Sequence, residues 1–187
     1  CPVILGDDGQ KLSKRRGAVS VTAYEEGGYL PEAMLNYLAR LGWSHGDEEL
    51  FTREQLVSWF DGTHLNKSPA QWDPAKLLWV NAQYIKQADN ARLAQLVAVQ
   101  LVKQGITLSD EQVATHLPQV CGLLKDRCDT TVALATWAAK FYAEVQIDPA
   151  EQAQHVTDAV KPAIAQLKDK LATCAWDKAS IAAAIKD

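Results

Sequence analysis

A short basic segment near the start of the sequence has the residue types best suited to chemistry: Lys11-Leu12-Ser13-Lys14-Arg15. Lysine is a compact point charge, and two lysines on one loop can close over negative charge that develops on a leaving group. Ser13 adds a hydroxyl, and with Gly9 and Gly17 it disfavours a helix here. The alternative is an ordinary solvated basic loop, because a pattern this permissive arises by chance in about one in a thousand chains of this length.

A short apolar run and a turn precede this segment. Val3-Ile4-Leu5 predicts a buried strand, although no partner strand lies nearby in the sequence. Gly6-Asp7-Asp8-Gly9 is typical of a turn, and the polar stretch from Gln10 to Gly17 has no periodicity, which indicates a surface loop. Because the strand lacks a partner and the first residue is not methionine, we expect further sequence before Cys1.

The rest of the sequence carries helical patterns. Pro31 suits a first helical position, Met34, Leu35, Leu38 and Leu41 follow at helical spacing, and Gly42 is typical of a helix end. Further helices are predicted to begin at capping residues: Thr52, Asp73, Asp89, Ser109, Asp129 and Asp148. Almost no alternating strand pattern follows residue 6, and the last third is rich in alanine. We therefore predict a mainly α fold, with two helical subdomains that meet near residues 86–90.

Composition limits the classes of function. With 48% hydrophobic residues the chain can bury a core, and 19 Lys and Arg against 23 Asp and Glu give a net charge of −4, so only local patches can attract nucleic acid. The distal helices have few basic residues: Arg92, Lys103, Lys125, Arg127 and Lys140. No apolar run is long enough for a membrane span and no signal peptide is evident, so we expect a soluble, cytoplasmic protein.

Cysteine and histidine spacing indicates neither a metal site nor a disulfide framework. The four cysteines include no C-x-x-C pair, and Cys121 and Cys128 lie seven residues apart, which predicts two buried thiols on one helix face. The four histidines are far apart in the sequence, and no G-x-S-x-G nucleophile motif occurs. A hydrolase and a protein-bound metal centre are therefore not predicted.

Six tryptophans raise the question of stacking on RNA bases. Trp43, Trp59 and Trp79 have apolar neighbours on or beside predicted helices, so we expect them in the core. For Trp137 and Trp176, which lie in the distal helices, the choice between a core position and base stacking stays more open.

The basic segment resembles the KMSKS signature of class I aminoacyl-tRNA synthetases, in the K-L-S-K-R form that is typical of the glutamyl subgroup. Its flanks resemble the same family at 5–10, 29–38, 41–44, 60–61, 66–68, 76–81 and 84–85. Arg16 departs from the pattern, because relatives often have histidine there. The resemblance is strong across residues 3–88 and weak beyond residue 88. The chain is thus identified as resembling a C-terminal fragment of a glutamyl-tRNA synthetase of the bacterial type.

The resemblance implies roles for residues and regions. Lys14 is expected to contact the phosphates of ATP, Lys11 to add a supporting positive charge, and Leu12, Ser13 and Arg15 to complete the signature loop. Residues 1–17 would be the end of a Rossmann-type catalytic domain whose HIGH signature lies elsewhere. Residues 18–88 would form a helical region that contacts the tRNA stem, and residues 89–187 an anticodon-binding region that is incomplete at its C-terminus.

The resemblance also implies a reaction. The parent protein would activate L-glutamate with ATP and Mg²⁺ to glutamyl adenylate and transfer the glutamyl group to tRNA(Glu), as a cytoplasmic monomer that needs no membrane. The fragment alone is expected to be inactive and to hold no metal site. A tRNA-modifying relative is disfavoured, because that type resembles the catalytic domain alone and would lack the long helical extension. A glutaminyl enzyme is also disfavoured, because its anticodon region resembles β-barrels and not helices. The alternative from another class is a non-enzymatic helical interaction module with a fortuitous KLSKR.

Overall fold

The protein, described here by a computed structural model, is defined at residues 2–6, 8–13, 20–63 and 65–186. It divides into two compact units, Cys1–Ala143 and Glu144–Asp187. The mainly α fold predicted from the sequence is confirmed. In the described residues, no helix is long and apolar enough to cross a membrane.

The strand predicted near the N-terminus exists, but it is shorter and less buried than expected. Strand β1 (Ile4–Leu5) pairs in parallel with β2 (Ala70–Gln71), with Ile4 opposite Ala70. Both β1 residues are half-buried, and Val3 is exposed. Strand β2 was not predicted, because two residues are too few to show the alternation that marks a strand.

Seven helices and several short turns build the described part of the first unit. The α-helices are α1 (Val21–Glu26), α2 (Pro31–Arg40), α3 (Arg53–Trp59), α4 (Pro74–Gln87), α5 (Asn90–Lys103), α6 (Leu117–Leu124) and α7 (Thr131–Ala138). A π-helical turn, Gln112–His116, runs directly into α6. Two 3₁₀ turns, Lys125–Arg127 and Ala139–Phe141, follow α6 and α7.

The helix caps were predicted correctly in all but one case. Thr52 Oγ1 accepts from Gln55 N at 3.2 Å while the Gln55 side chain accepts from Thr52 N at 2.8 Å, which is the predicted capping box. The side chains of Asp73, Asp89 and Asp148 likewise accept from the first turns of their helices. Ser109 and Gln112 bond reciprocally at the start of the π-helical segment.

Asp129 was the wrong choice for the cap of α7. The side chain of Thr130 accepts from Ala133 N at 3.0 Å and caps the helix instead. Aspartate and threonine both suit this position, so the sequence alone does not distinguish between neighbours. The main-chain oxygen of Asp129 has another partner, the side chain of Asn81.

One hydrophobic core extends through the first unit, from Leu30 to Ala138. Its fully buried side chains include Leu77 and Ile85 of α4 and Leu93 and Leu101 of α5. Helices on both sides of residue 88 therefore share a core. The functional boundary placed at residue 88 stays a prediction.

Helix α2 does not bury its whole apolar pattern. Met34 and Tyr37 lie in the core, whereas Leu35 and Leu38 are 41% and 43% exposed. Helical spacing brings these residues near one another, but it does not show which face of the helix is covered.

The second unit consists of three helices: α8 (Pro149–His155), α9 (Lys161–Thr173) and α10 (Lys178–Lys186). None of the described residues in this unit is buried. Apolar side chains of α9, among them Ile164 and Leu167, line an open groove with Trp176.

The two central cysteines are free, buried thiols, as predicted. Their predicted placement on one helix face is wrong, because α6 ends at Leu124 and Cys128 lies in extended backbone after the 3₁₀ turn. Burial raises the pKa of Cys121 to about 12, so the thiol stays protonated at neutral pH.

Candidate functional site

A tight hairpin fixes the leading end of the signature loop. Gly9 N donates to Gly6 O at 3.0 Å, and Leu12 N donates to Ile4 O at 2.8 Å. Lys11 forms an antiparallel bridge with Leu5. The predicted turn is confirmed, and Gly9 takes the left-handed conformation with φ of 71° that such a turn needs. Of the surface loop predicted from Gln10 to Gly17, the described residues 10–13 lie mostly at the surface, but Lys11 pairs with Leu5 of β1.

The hairpin places part of the predicted site. Lys11 and Ser13 are exposed, and Leu12 between them is half-buried. The lysine ammonium and the serine hydroxyl therefore face solvent, where an anionic ligand could reach them. Lys14 and Arg15 lie outside the described residues, so their placement beside Lys11 stays a prediction.

Helix α1 begins where the loop ends. Ser20 caps it, with Ser20 Oγ accepting from Thr22 N at 3.4 Å. No residue of α1 is buried, so the helix depends on few contacts. The ring of Tyr24 supplies two of them, at centroid distances of 5.5 Å to Tyr29 and 5.7 Å to Trp72.

Trp72 connects the two ends of the loop. Its main-chain N donates to Leu5 O at 2.7 Å, which attaches it to β1, and its ring contacts Tyr24 of α1. The described segments on either side of residues 14–19 thus share one support. Trp72 was not predicted to contribute to the site, and only its position beside the predicted cap Asp73 indicates it in the sequence.

The burial of the tryptophans differs in part from the prediction. Trp43 is buried, and Trp59 is half-buried with its ring 4.2 Å from that of His45. Trp79 was predicted in the core, but it is 40% exposed because it lies on the outer face of α4. Trp137 and Trp176, for which the choice was left open, are exposed.

The exposed ring of Trp79 is covered in part by a lysine. Lys76 Nζ lies 4.1 Å from the ring centroid and 2.7 Å from Glu49 Oε2. The hydrogen bond from Lys76 lowers the pKa of Glu49. Because Lys76 is already paired, it is a poor candidate for holding an RNA phosphate.

Three of the five distal basic residues also have structural partners. Lys140 Nζ lies 4.2 Å from the centroid of the Trp137 ring. Arg92 donates to both carboxylate oxygens of Glu32, at 2.9 Å for Nη2 to Oε2. Burial raises the pKa of Glu32, but the bonds from Arg92 outweigh it and the pKa is lowered. Lys125 Nζ donates to Ala88 O at 2.9 Å and so satisfies a free carbonyl at the end of α4. Arg127 is exposed.

No metal site is evident in the part of the chain that the structure describes. There, no three His, Cys, Asp or Glu side chains are grouped so that they could hold an ion. The described part of the site is thus the pair of segments on either side of residues 14–19, beside a helical body with scattered surface cations.

Two protein families match successive parts of the chain. The catalytic domain of the class I tRNA synthetases (E and Q) matches residues 1–79, and the anticodon binding domain matches residues 81–187. Because the second match covers more than half of the chain, the chain belongs to the anticodon binding domain family.

Curated relatives narrow the assignment. The glutamate-tRNA ligase of Paracidovorax citrulli is 61% identical over 186 residues, which is 100% of this chain and 39% of that protein. The glutamate-tRNA ligase of Albidiferax ferrireducens is 58% identical over the same shares of the two chains. The chain thus spans about two-fifths of the length of these relatives. The predicted resemblance to the glutamyl-tRNA synthetase family is confirmed.

A solved structure agrees on the fold. The crystal structure of a glutamate tRNA ligase from Elizabethkingia meningosepticum in complex with its amino acid has a TM-score of 0.79 and 24% identity. The match covers 98% of this chain and 40% of that chain.

Proposed function

We propose that the chain is part of a glutamate-tRNA ligase, in which ATP, L-glutamate and tRNA(Glu) give AMP, pyrophosphate and glutamyl-tRNA through a glutamyl adenylate. The observation that carries the proposal is 61% identity along the whole chain to a protein of that name. ATP enters with Mg²⁺ as a substrate. The parent protein acts as a cytoplasmic monomer.

In this proposal the signature loop serves adenylate formation. The glutamate carboxylate attacks the α-phosphorus of ATP, and pyrophosphate leaves with increasing negative charge. Lys14 stabilises that charge on the phosphates, and Lys11 adds a second positive charge. Support comes from the hairpin and from Trp72, which hold the two ends of the loop in place while Lys11 and Ser13 face solvent.

The helical part serves tRNA binding. Residues 18–88 contact the inner side of the tRNA and residues 89–187 approach its anticodon arm, in keeping with the anticodon binding domain match over residues 81–187. With a net charge of −4, tight non-specific binding is not expected. A few exposed cations must therefore provide the phosphate contacts.

An aminoacylation assay on the full-length protein tests the proposal. With ATP, Mg²⁺ and glutamate, the enzyme should charge tRNA(Glu), and a parallel reaction with tRNA(Gln) shows whether that tRNA is also a substrate. A protein that charges neither tRNA would support the helical interaction module instead.

Arg127 offers a test of the RNA-facing surface. We expect Arg127→Ala in the full-length protein to reduce the slope of log K against log salt concentration by about one, because one phosphate contact is lost. Binding of tRNA(Glu) at several salt concentrations measures the slope. An unchanged slope would remove Arg127 from the interface.

Lys125→Ala is the matched comparison, because Lys125 and Arg127 are the first and last residues of the same 3₁₀ turn. Because Lys125 Nζ bonds to Ala88 O, we expect this variant to lower thermal stability rather than the salt slope. A reduced slope without loss of stability would instead place Lys125 at the RNA.

A further inference from the structure

Asn81 is a fully buried polar residue whose side chain connects three segments of the first unit. Its relative exposure is 0%. Asn81 Oδ1 accepts from Leu30 N at 2.8 Å, and Nδ2 donates to Asp129 O at 2.6 Å and to Gly28 O at 3.4 Å. Residues 28–30 follow α1, Asn81 lies within α4, and Asp129 precedes α7. One amide thus bonds to the segments on both sides of α4.

Gly28 brings two of these segments into direct contact. Its φ is 84°, and a Cβ there would lie 2.7 Å from Val132 N, so only glycine fits. Gly28 O also accepts from Thr131 N at 3.0 Å. We call Gly28, Leu30, Asn81, Asp129 and Thr131 the Asn81 joint.

The joint lies where the two family matches meet. Gly28 and Leu30 belong to the part matched to the catalytic domain, which ends at residue 79. Asn81 is the first residue of the anticodon binding domain match, and Asp129 lies within it. Gly28 is also two residues beyond the end of α1, the helix that follows the signature loop.

The chemistry of the side chain favours a directional role. A buried apolar residue of similar size would fill the space, but it could not specify how the neighbouring segments are oriented. The amide can satisfy both its donor and its acceptor in only one arrangement of these segments. No side chain of α1 is buried, so the bonds from Asn81 to Gly28 and Leu30 provide much of the attachment of the segment that follows α1.

We propose that Asn81 is a positioning residue, which fixes α5–α7 relative to α1 so that a tRNA bound by the anticodon-binding part is held in register with the signature loop. The proposal rests on the proposed function. Loosening the joint should leave each binding surface intact while the register between them is lost. Misplacement of reacting groups by about 1 Å can cost about 10²-fold in rate.

The test compares Asn81→Leu with Val80→Ala in the full-length protein. Val80 is the buried neighbour on α4, and its variant loses packing without touching the joint. For Asn81→Leu we expect kcat for aminoacylation of tRNA(Glu) to fall about tenfold or more, with the Kd for tRNA changed less than about threefold. For Val80→Ala, kcat per folded molecule should equal that of the wild type.

Amide hydrogen exchange provides a readout that does not depend on activity. Residues 20–30 should exchange faster in Asn81→Leu than in Val80→Ala at equal loss of thermal stability. Equal kcat and equal exchange in the two variants would overturn the proposal. If Asn81→Leu does not fold, Asn81→Ser takes its place, and failure of both to fold would show that Asn81 serves the fold alone. A wild type that charges no tRNA(Glu) contradicts the proposed function, while the exchange comparison still decides the joint.

Discussion

Lys14→Ala in the full-length protein is expected to lower adenylate formation about 10²-fold, equivalent to about 3 kcal/mol of transition-state stabilisation. In the proposed function the lysine supplies a charged donor to the departing pyrophosphate, and water would replace it poorly. Affinity for tRNA should barely change, because in the proposed function Lys14 acts on the phosphates of ATP, while the helices bind the tRNA. Exchange of pyrophosphate into ATP, with glutamate and tRNA present, measures the loss.

Two variants serve as controls for Lys14. Lys11→Ala removes an exposed side chain whose backbone is held by the hairpin, so the loop's leading end should stay in place. Its effect should be smaller than that of Lys14→Ala, since Lys11 is assigned a supporting charge. Lys103→Ala, on α5, should leave pyrophosphate exchange unchanged. If Lys14→Ala lost tRNA binding but kept its activation rate, the role of Lys14 would be wrong.

Features that depend on neighbouring residues could be predicted from the sequence. The caps at Thr52, Asp73 and Asp89 are local, because each side chain bonds to an amide three residues later. Contacts between distant residues were missed for the opposite reason. The pairing of β1 with β2 joins positions 66 residues apart, as Ile4 to Ala70 shows, and nothing in either short segment indicates it.

The candidate site shows the same division. Lys11 and Lys14 could be named because their spacing resembles a known signature. Trp72 and Asn81 could not, because their importance lies in partners far along the chain: Trp72 bonds to Leu5, and Asn81 bonds to Leu30 and Asp129. A tryptophan or asparagine in a helical sequence looks ordinary until its partners are known.

Because helices on both sides of residue 88 share one core, truncation there should have a large effect on folding. We expect a chain that ends at residue 88 to be unfolded, and a chain that ends at residue 143 to keep the fold of the first unit. Removing residues 89–143 takes away Leu93, Val97, Leu101 and Leu134, all fully buried in the same core as α2 and α4. Each such side chain contributes about 1.5–3 kcal/mol by burial. Their sum is comparable with the whole stability of a domain, about 5–15 kcal/mol.

The shorter chain would also leave polar groups of the Asn81 joint without partners. Asn81 Nδ2 would lose its bond to Asp129 O, and Gly28 O its bond from Thr131 N. The chain of residues 1–143 keeps these bonds and the entire core, which ends at Ala138. Circular dichroism during heating distinguishes the two chains: we expect a cooperative transition for residues 1–143 and none for residues 1–88. A cooperative transition in the shorter chain would show that residues 1–88 fold as an independent domain, because the helices beyond residue 88 would then not be needed to complete their core.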